Sequence, residues 1–190
     1  SRGIGLGVAQ MLAERGYRVL ASYAHDDEAA QRAAQLMGGK AAFFKADHGD
    51  RRQTYAFIDF IRQQTDHVEC VICNAGTTVR KGFTETADSD WDLMMEIAVN
   101  AHFILLRELF PLIASNSRII FTGSTMVAFP HASIVGYGVS KAAVHGMVKN
   151  LTKAFEEKQT TVNAIAPGFV ETDWQKDKPE QIRQNIYQKT

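Results

Sequence analysis

Short runs of β-branched, aromatic and other apolar residues alternate along this chain with longer stretches of helical periodicity. That alternation limits the fold more than any other feature. Residues 17–23, 41–47, 68–74, 118–124 and 161–167 predict strands, and residues 5–15, 26–37, 50–65, 88–114, 136–157 and 179–188 predict helices. Strands joined through helices run parallel, and a parallel sheet is covered by helices on both faces. Several runs are apolar throughout rather than alternating, as a strand buried on both sides requires. The expectation is a doubly wound α/β fold. No repeat, low-complexity segment or linker divides residues 1–190, so a single domain is expected.

The composition narrows the function classes. A length of 190 residues suffices for one domain with a sizeable core. With 45% hydrophobic and 22% charged residues the chain is not of disordered composition. Its 21 basic and 21 acidic side chains give no electrostatic reason to expect nucleic acid or an anionic membrane as partner. Apolar runs such as Phe103-Ile104-Leu105-Leu106 are too short to span a bilayer, and no basic-then-apolar leader opens the chain. A cytoplasmic protein is expected. Cys70 and Cys73 form a Cys-x-x-Cys, but in a strand they point to opposite faces, so packing is expected rather than a disulfide or a metal. The six histidines show no metal-ligand spacing, and no metal is expected. The stretches 88–114 and 136–157 are apolar on all sides. Either other parts of the chain cover them, or a second subunit does, as in a homodimer or homotetramer.

The chain opens Ser1-Arg2-Gly3-Ile4-Gly5-Leu6-Gly7, a glycine-rich turn that leads into a helix without a strand before it. Such turns cradle phosphate at a helix N-terminus and normally follow a strand, so the sequence reads as part of a longer chain. Farther on, Tyr137 and Lys141 stand at i and i+4 near the start of a predicted helix, on one face and within reach of each other. A phenol ordinarily titrates near 10, and a neighbouring ammonium favours the phenolate. Alone, the pair is better read as a half-buried tyrosine beside a solvated lysine. Ser124, 13 residues earlier at the end of a predicted strand, lies where open α/β sheets bind ligands. Its plain alternative is a turn serine.

Together, Ser124, Tyr137-Gly138-Val139-Ser140-Lys141, Cys73-Asn74-Ala75-Gly76, Asn100 and Pro167-Gly168-Phe169-Val170-Glu171-Thr172 resemble the short-chain dehydrogenase/reductases, and Ser1-Arg2-Gly3-Ile4-Gly5 resembles the second half of that family's coenzyme turn. The likeness covers essentially the whole chain, and by eye is nearest to the 3-oxoacyl-acyl-carrier-protein reductases. It implies a Rossmann-type domain whose first and last strands are absent from this chain, and an oxidoreductase that moves a hydride between NAD(P)(H) and a carbonyl or secondary alcohol. A 3-oxoacyl thioester is one such substrate.

The resemblance also implies roles. Tyr137 is the general acid or base, Lys141 holds the nicotinamide ribose and assists Tyr137, Ser124 polarises the carbonyl, and Asn100, inside the long helix, holds a water of a proton relay. Gly3, Ile4 and Gly5 approach the pyrophosphate, with Gly7 packed closely in the helix behind them. Asp47 accepts from the adenine amino group. Asn74, Ala75 and Gly76 lie along the adenosine ribose, and Pro167, Gly168, Val170 and Thr172 contact the nicotinamide carboxamide. Residues 17–23 end in Ser22 and Tyr23, without a carboxylate to repel a 2′-phosphate, and Arg2 carries a charge that can pair with one. NADP is therefore expected over NAD, although Asp26 and Asp27, expected to cap a helix, follow closely. The alternatives are a coenzyme-sensing or scaffolding protein without catalysis, which has no need of Tyr137, and an isomerase or dehydratase, for which Gly3-Ile4-Gly5 is the wrong turn.

Overall fold

In the computed structural model, residues 1–172 and 179–187 are described. Helix α1 (Gly3–Glu14) leads into β1 (Val19–Tyr23), α2 (Asp27–Leu36), β2 (Ala41–Lys45), α3 (Arg51–Gln64) and β3 (Val68–Cys73). Then come α4 (Asp88–Met95), α5 (Ala101–Leu109), β4 (Ile113–Thr122), α6 (Val135–Ala154), β5 (Thr161–Ile165) and α7 (Glu180–Tyr187). Every strand pair is parallel. Val19 stands opposite Ala41, Val71 opposite Ile119, and Ile119 opposite Val162.

Helices cover both faces, and the period of two decides which residues meet them. Val19 and Phe43 turn to α1 and α2, where Ala9, Ala13, Ala33 and Met37 form a small core. Leu20 and Phe44 turn to the other side, onto the larger core of Phe57 and Ile58 on α3, Leu106 and Leu109 on α5, Val144 on α6, and Ile119 and Phe121 on β4. Local chemistry sets the helix starts: Asp26 accepts from the Ala29 amide at 2.8 Å, and Asp50 accepts from the Arg52 amide at 2.9 Å.

The parallel sheet is in two parts, β1–β2 and β3–β4–β5. Between them a cavity of about 800 Å³ is lined by Val19 to Ser22, Val68 to Ile72 and the inner side of α5. The predicted helix 88–114 is not one helix. A π-turn, Glu96–Asn100, separates α4 from α5, and its wide loop is closed by the Ala101 amide donating to the Glu96 carbonyl. Residues 113–117 are strand rather than helix end or loop, because β4 begins five residues early through a bulge at Asn116 (φ +61°). The polar Ser115-Asn116-Ser117 hides that extension in the sequence. At the edge of the second part, four of the five residues of β5 are exposed. The helix expected over 179–188 is present as α7, with Gln188 outside the described residues.

Cys70 and Cys73 are both free, on opposite faces of β3, with Cys73 buried. Burial pushes its thiol far above the ordinary value. Among the described residues no helix is long and apolar enough to cross a membrane, and no cluster of His, Cys, Asp and Glu could hold a metal ion.

Candidate active site

The C-terminal ends of β1, β3, β4 and β5 and the N-terminus of α1 converge on one side of the sheets, as an open parallel topology dictates for ligand binding. Gly3 opens α1 with φ +54°, a left-handed conformation that suits glycine. No side chain caps α1 and no carboxylate lies in its first turn, so its end favours an anion. Gly5 has a second reason to be glycine: a Cβ there would lie 2.8 Å from Asn74 Nδ2. Gly7, expected to pack closely, faces open space where its Cβ would be, so the close packing belongs to Gly5 instead.

Asn74 is itself fixed. Its Oδ1 accepts from the Thr122 hydroxyl at 3.0 Å, and the Thr122 carbonyl accepts from Lys141 Nζ at 2.7 Å. Lys141 is 3% exposed, and burial pulls its ammonium down to about 8. Its Nζ lies 5.7 Å from the Tyr137 ring centroid, and a Cβ on Gly76 would come within 3.3 Å of it. Tyr137, in the first turn of α6, is half-buried.

Ser124 lies two residues past β4, not at its last position, and is the N-cap of a short 3₁₀ turn. Its Oγ accepts from the Met126 amide at 3.2 Å, which leaves the hydroxyl proton free to donate. The turn is joined to the loop after β5, where the Pro167 carbonyl accepts from the Thr125 amide at 3.1 Å. Gly168 sits beside Thr125, and Thr172 lies 3.6 Å from where a Gly3 Cβ would be. Val170, in the same loop, is exposed.

The adenosine end of the expected coenzyme site is more occupied by internal partners. Arg2 lies 4.0 Å from the Asp26 carboxylate, so the capping acid also faces the expected phosphate-pairing cation. Ser22 shares a 2.8 Å hydrogen bond with His48, whose other nitrogen is 3.0 Å from Thr54 Oγ1. Asp47 accepts from the Gly49 amide at 2.9 Å and lies 3.6 Å from His25. Arg2, Gly5, Ser22, Asn74 and Ala75 all line the cavity between the sheets, whereas Ile4 follows in the first turn of α1. A free helix end with two constrained glycines thus fits a dinucleotide pyrophosphate.

Asn100 is not in a continuous α-helix, as the sequence implied, but closes the π-turn, and its Nδ2 donates to Glu96 at 2.6 Å. Sequence reasoning missed Thr122, Thr125, Glu96 and Arg51. The i, i+4 spacing of Glu96 and Asn100 was a signal for one of them. Thr122 joins the site through its backbone carbonyl, which no residue type announces.

The model of the family described as short chain dehydrogenase matches residues 1–183. A 2-dehydro-3-deoxy-D-gluconate 5-dehydrogenase of Pseudoalteromonas atlantica is 34% identical over 177 residues, covering 90% of this chain and 70% of that one. This chain spans about two thirds of the length of the curated relatives it matches. A short-chain dehydrogenase/reductase from Serratia marcescens superposes with a TM-score of 0.90 at 29% identity, over 97% of this chain and 77% of its own. A short-chain dehydrogenase from Burkholderia cenocepacia, in complex with NADP, gives 0.90 at 25% identity, over 97% and 78%.

The buried ammonium has a consequence for stability. The folded protein holds the Lys141 proton less tightly than the unfolded chain does. Lys141 therefore costs stability at all pH values below about 8, and the cost fades as pH rises from there towards the ordinary 10.5. Lys141→Met is expected to be more stable than the parent at pH 7, on the order of 1–3 kcal/mol in urea unfolding, with the gap closing by pH 10.5. A less stable variant at pH 7 would mean that the bond to Thr122 outweighs the burial.

Proposed function

The chain belongs to the short-chain dehydrogenase family of NAD(P)-dependent oxidoreductases, and on that premise we propose that it interconverts a carbonyl and a secondary alcohol with Tyr137 as its proton-transfer group. The supporting observation is the Lys141 ammonium, buried behind the Tyr137 ring and tied to the end of β4. The coenzyme, when bound, supplies or accepts the hydride. In the reducing direction a carbonyl oxygen that gains negative charge needs a proton, and Tyr137 provides it. The Lys141 charge stabilises the phenolate left behind. Ser124 donates its free hydroxyl proton to the same oxygen and so orients it. Asn100 belongs to the path that restores the proton to Lys141 and Tyr137. Gly3, Ile4 and Gly5 would hold the pyrophosphate, Arg2 and Ser22 the far ribose, and Asp47 the adenine. Asn74, Ala75 and Gly76 would lie along the adenosine ribose, and Tyr137 and Lys141 would hold the nicotinamide ribose. Pro167, Gly168, Val170 and Thr172 would contact the carboxamide.

The substrate class is a small ketone or its alcohol. Sugar-acid ketones, of the kind in the name of the Pseudoalteromonas relative, and 3-oxoacyl thioesters, of the kind the sequence resemblance implies, are the members to screen first.

Tyr137→Phe removes the proton and leaves the ring. It is expected to lower kcat by roughly 10²–10⁴ while coenzyme affinity, read by fluorescence titration, stays unchanged. Turnover within a few-fold of the parent on any reduced ketone would refute the role.

NADPH is expected to give a higher kcat/KM than NADH, because Arg2, which precedes α1 and faces Asp26 in the segment after β1, is a bidentate partner for a phosphate. The NADP named with the Burkholderia neighbour supports the choice. Equal or better efficiency with NADH would count against it.

Trp91 and Leu93 on α4, Phe103 on α5 and Val139 on α6 are exposed apolar side chains, which supports a homodimer or homotetramer built on these helices. Light scattering is expected to give twice or four times the chain mass at micromolar concentration, and a clean monomer would exclude this assembly.

A further inference from the structure

The first acids after β1 are Asp26 and Asp27, and the first after β2 is Asp47. Two of the three are committed elsewhere. The Asp27 carboxylate accepts from the Tyr23 hydroxyl at 2.9 Å and from Lys45 Nζ at 2.8 Å, so both of its oxygens are used. Asp47 accepts from the Gly49 amide through Oδ1 and lies 3.6 Å from His25 through Oδ2. Asp26 is divided. Its Oδ1 accepts from the Ala29 amide at 2.8 Å and caps α2, while its Oδ2 lies 4.0 Å from Arg2 Nη1. Among the described residues no other acid is paired with Arg2.

Neither contact of Asp26 requires its charge. The Arg2 distance is too long for a hydrogen bond, and the two side chains are 57% and 38% exposed, so the pair contributes little to the stability of the fold. The cap is made as well by asparagine as by aspartate. What the charge does is fill the counter-ion position of the cation assigned to a 2′-phosphate. A phosphate monoester carries about two negative charges at neutral pH. It meets the Arg2 guanidinium only by crowding the carboxylate, and like charges at such a distance repel. A ribose 2′-hydroxyl is neutral and meets no such opposition.

We propose that Asp26 is a specificity-determining residue whose carboxylate stands in for a 2′-phosphate at Arg2, and so weakens the binding of NADP(H) relative to NAD(H). The inference rests on the reading that Arg2 pairs with the 2′-phosphate. The NADPH preference is then the difference between attraction to Arg2 and repulsion from Asp26, and a residue that also starts α2 controls that difference.

The test titrates the full chain with adenosine 2′,5′-bisphosphate and with 5′-AMP by calorimetry at low ionic strength. Asp26→Asn is expected to bind the bisphosphate about ten-fold more tightly than the parent, with 5′-AMP affinity unaltered. The gain should shrink as salt approaches about 1 M, where charges are screened within about 3 Å. The NADPH-to-NADH ratio of kcat/KM should rise by a similar factor, through KM. Asp26→Ala loses the cap as well, so a lower urea midpoint with the same gain in bisphosphate affinity separates the charge from the cap. In an Arg2→Ala background, Asp26→Asn should lose most of its effect. If Arg2→Ala weakens bisphosphate binding but Asp26→Asn leaves it at the parental value, the stand-in role is wrong and the phosphate reading survives. If Arg2→Ala leaves bisphosphate binding unchanged, or the parent binds neither nucleotide, the phosphate reading fails and takes this inference with it. An Asp26→Asn that binds 5′-AMP more weakly would show that the carboxylate accepts from a ribose hydroxyl instead, which overturns the proposal.

Discussion

An ammonium group buried to 3% exposure, with the Thr122 carbonyl 2.7 Å away, is the constraint on which the rest of the site depends. Burying a charge is unfavourable unless it is hydrogen-bonded, and among the described residues Lys141 is given a main-chain oxygen at the last residue of β4 as acceptor. The beginning of α6 must therefore lie over the end of β4. Gly76 must lack a side chain to leave room for Nζ. The turn holding Ser124 follows directly from the strand end that supplies the carbonyl. One buried charge thus sets the position of the tyrosine, of the serine and of the loop after β3.

The same interaction reaches the coenzyme turn through contacts of fixed geometry. Thr122 bonds Lys141 through its carbonyl and Asn74 through its hydroxyl, and Asn74 in turn leaves no space for a Cβ on Gly5. The end of α1 and the start of α6 are separated by most of the chain, yet only two residues stand between them in space. A polar path of this kind is costly to leave half made, so each member constrains the next. On the other side of the cavity the fit is looser. Arg2 and Asp26, and His25 and Asp47, face each other at 4.0 and 3.6 Å with their side chains in part exposed to solvent. Such pairs are weak and are readily exchanged for a ligand.

Local periodicity and residue type were enough to place the five strands of the described residues and to assign the fold class, because short β-branched and apolar runs bounded by turns mark strands. The cap Asp26 and the opposed faces of Cys70 and Cys73 were legible because each is settled within a few residues, whereas Asp50, read as the first residue of its helix, proved to be the cap. The spacing of Tyr137 and Lys141 on one helical face was equally local. Ser124 was placed at the strand's end rather than two residues past it, since the boundary of β4 is set by its parallel partners rather than by its own residues.

What the sequence by itself determined is the alternation of elements, the glycine turn that opens a helix, and the residue types to which the proton chemistry is assigned in the proposal. The tertiary structure alone decided what those residues touch. The bulged start of β4 follows from which strand edges find partners, and pairing is a property of residues far apart in the chain. The π-turn that carries Asn100 could not be read from apolar positions that fill every side of residues 88–114. Its geometry is held by Arg51, 45 residues away, and an interaction across that distance leaves no periodic trace.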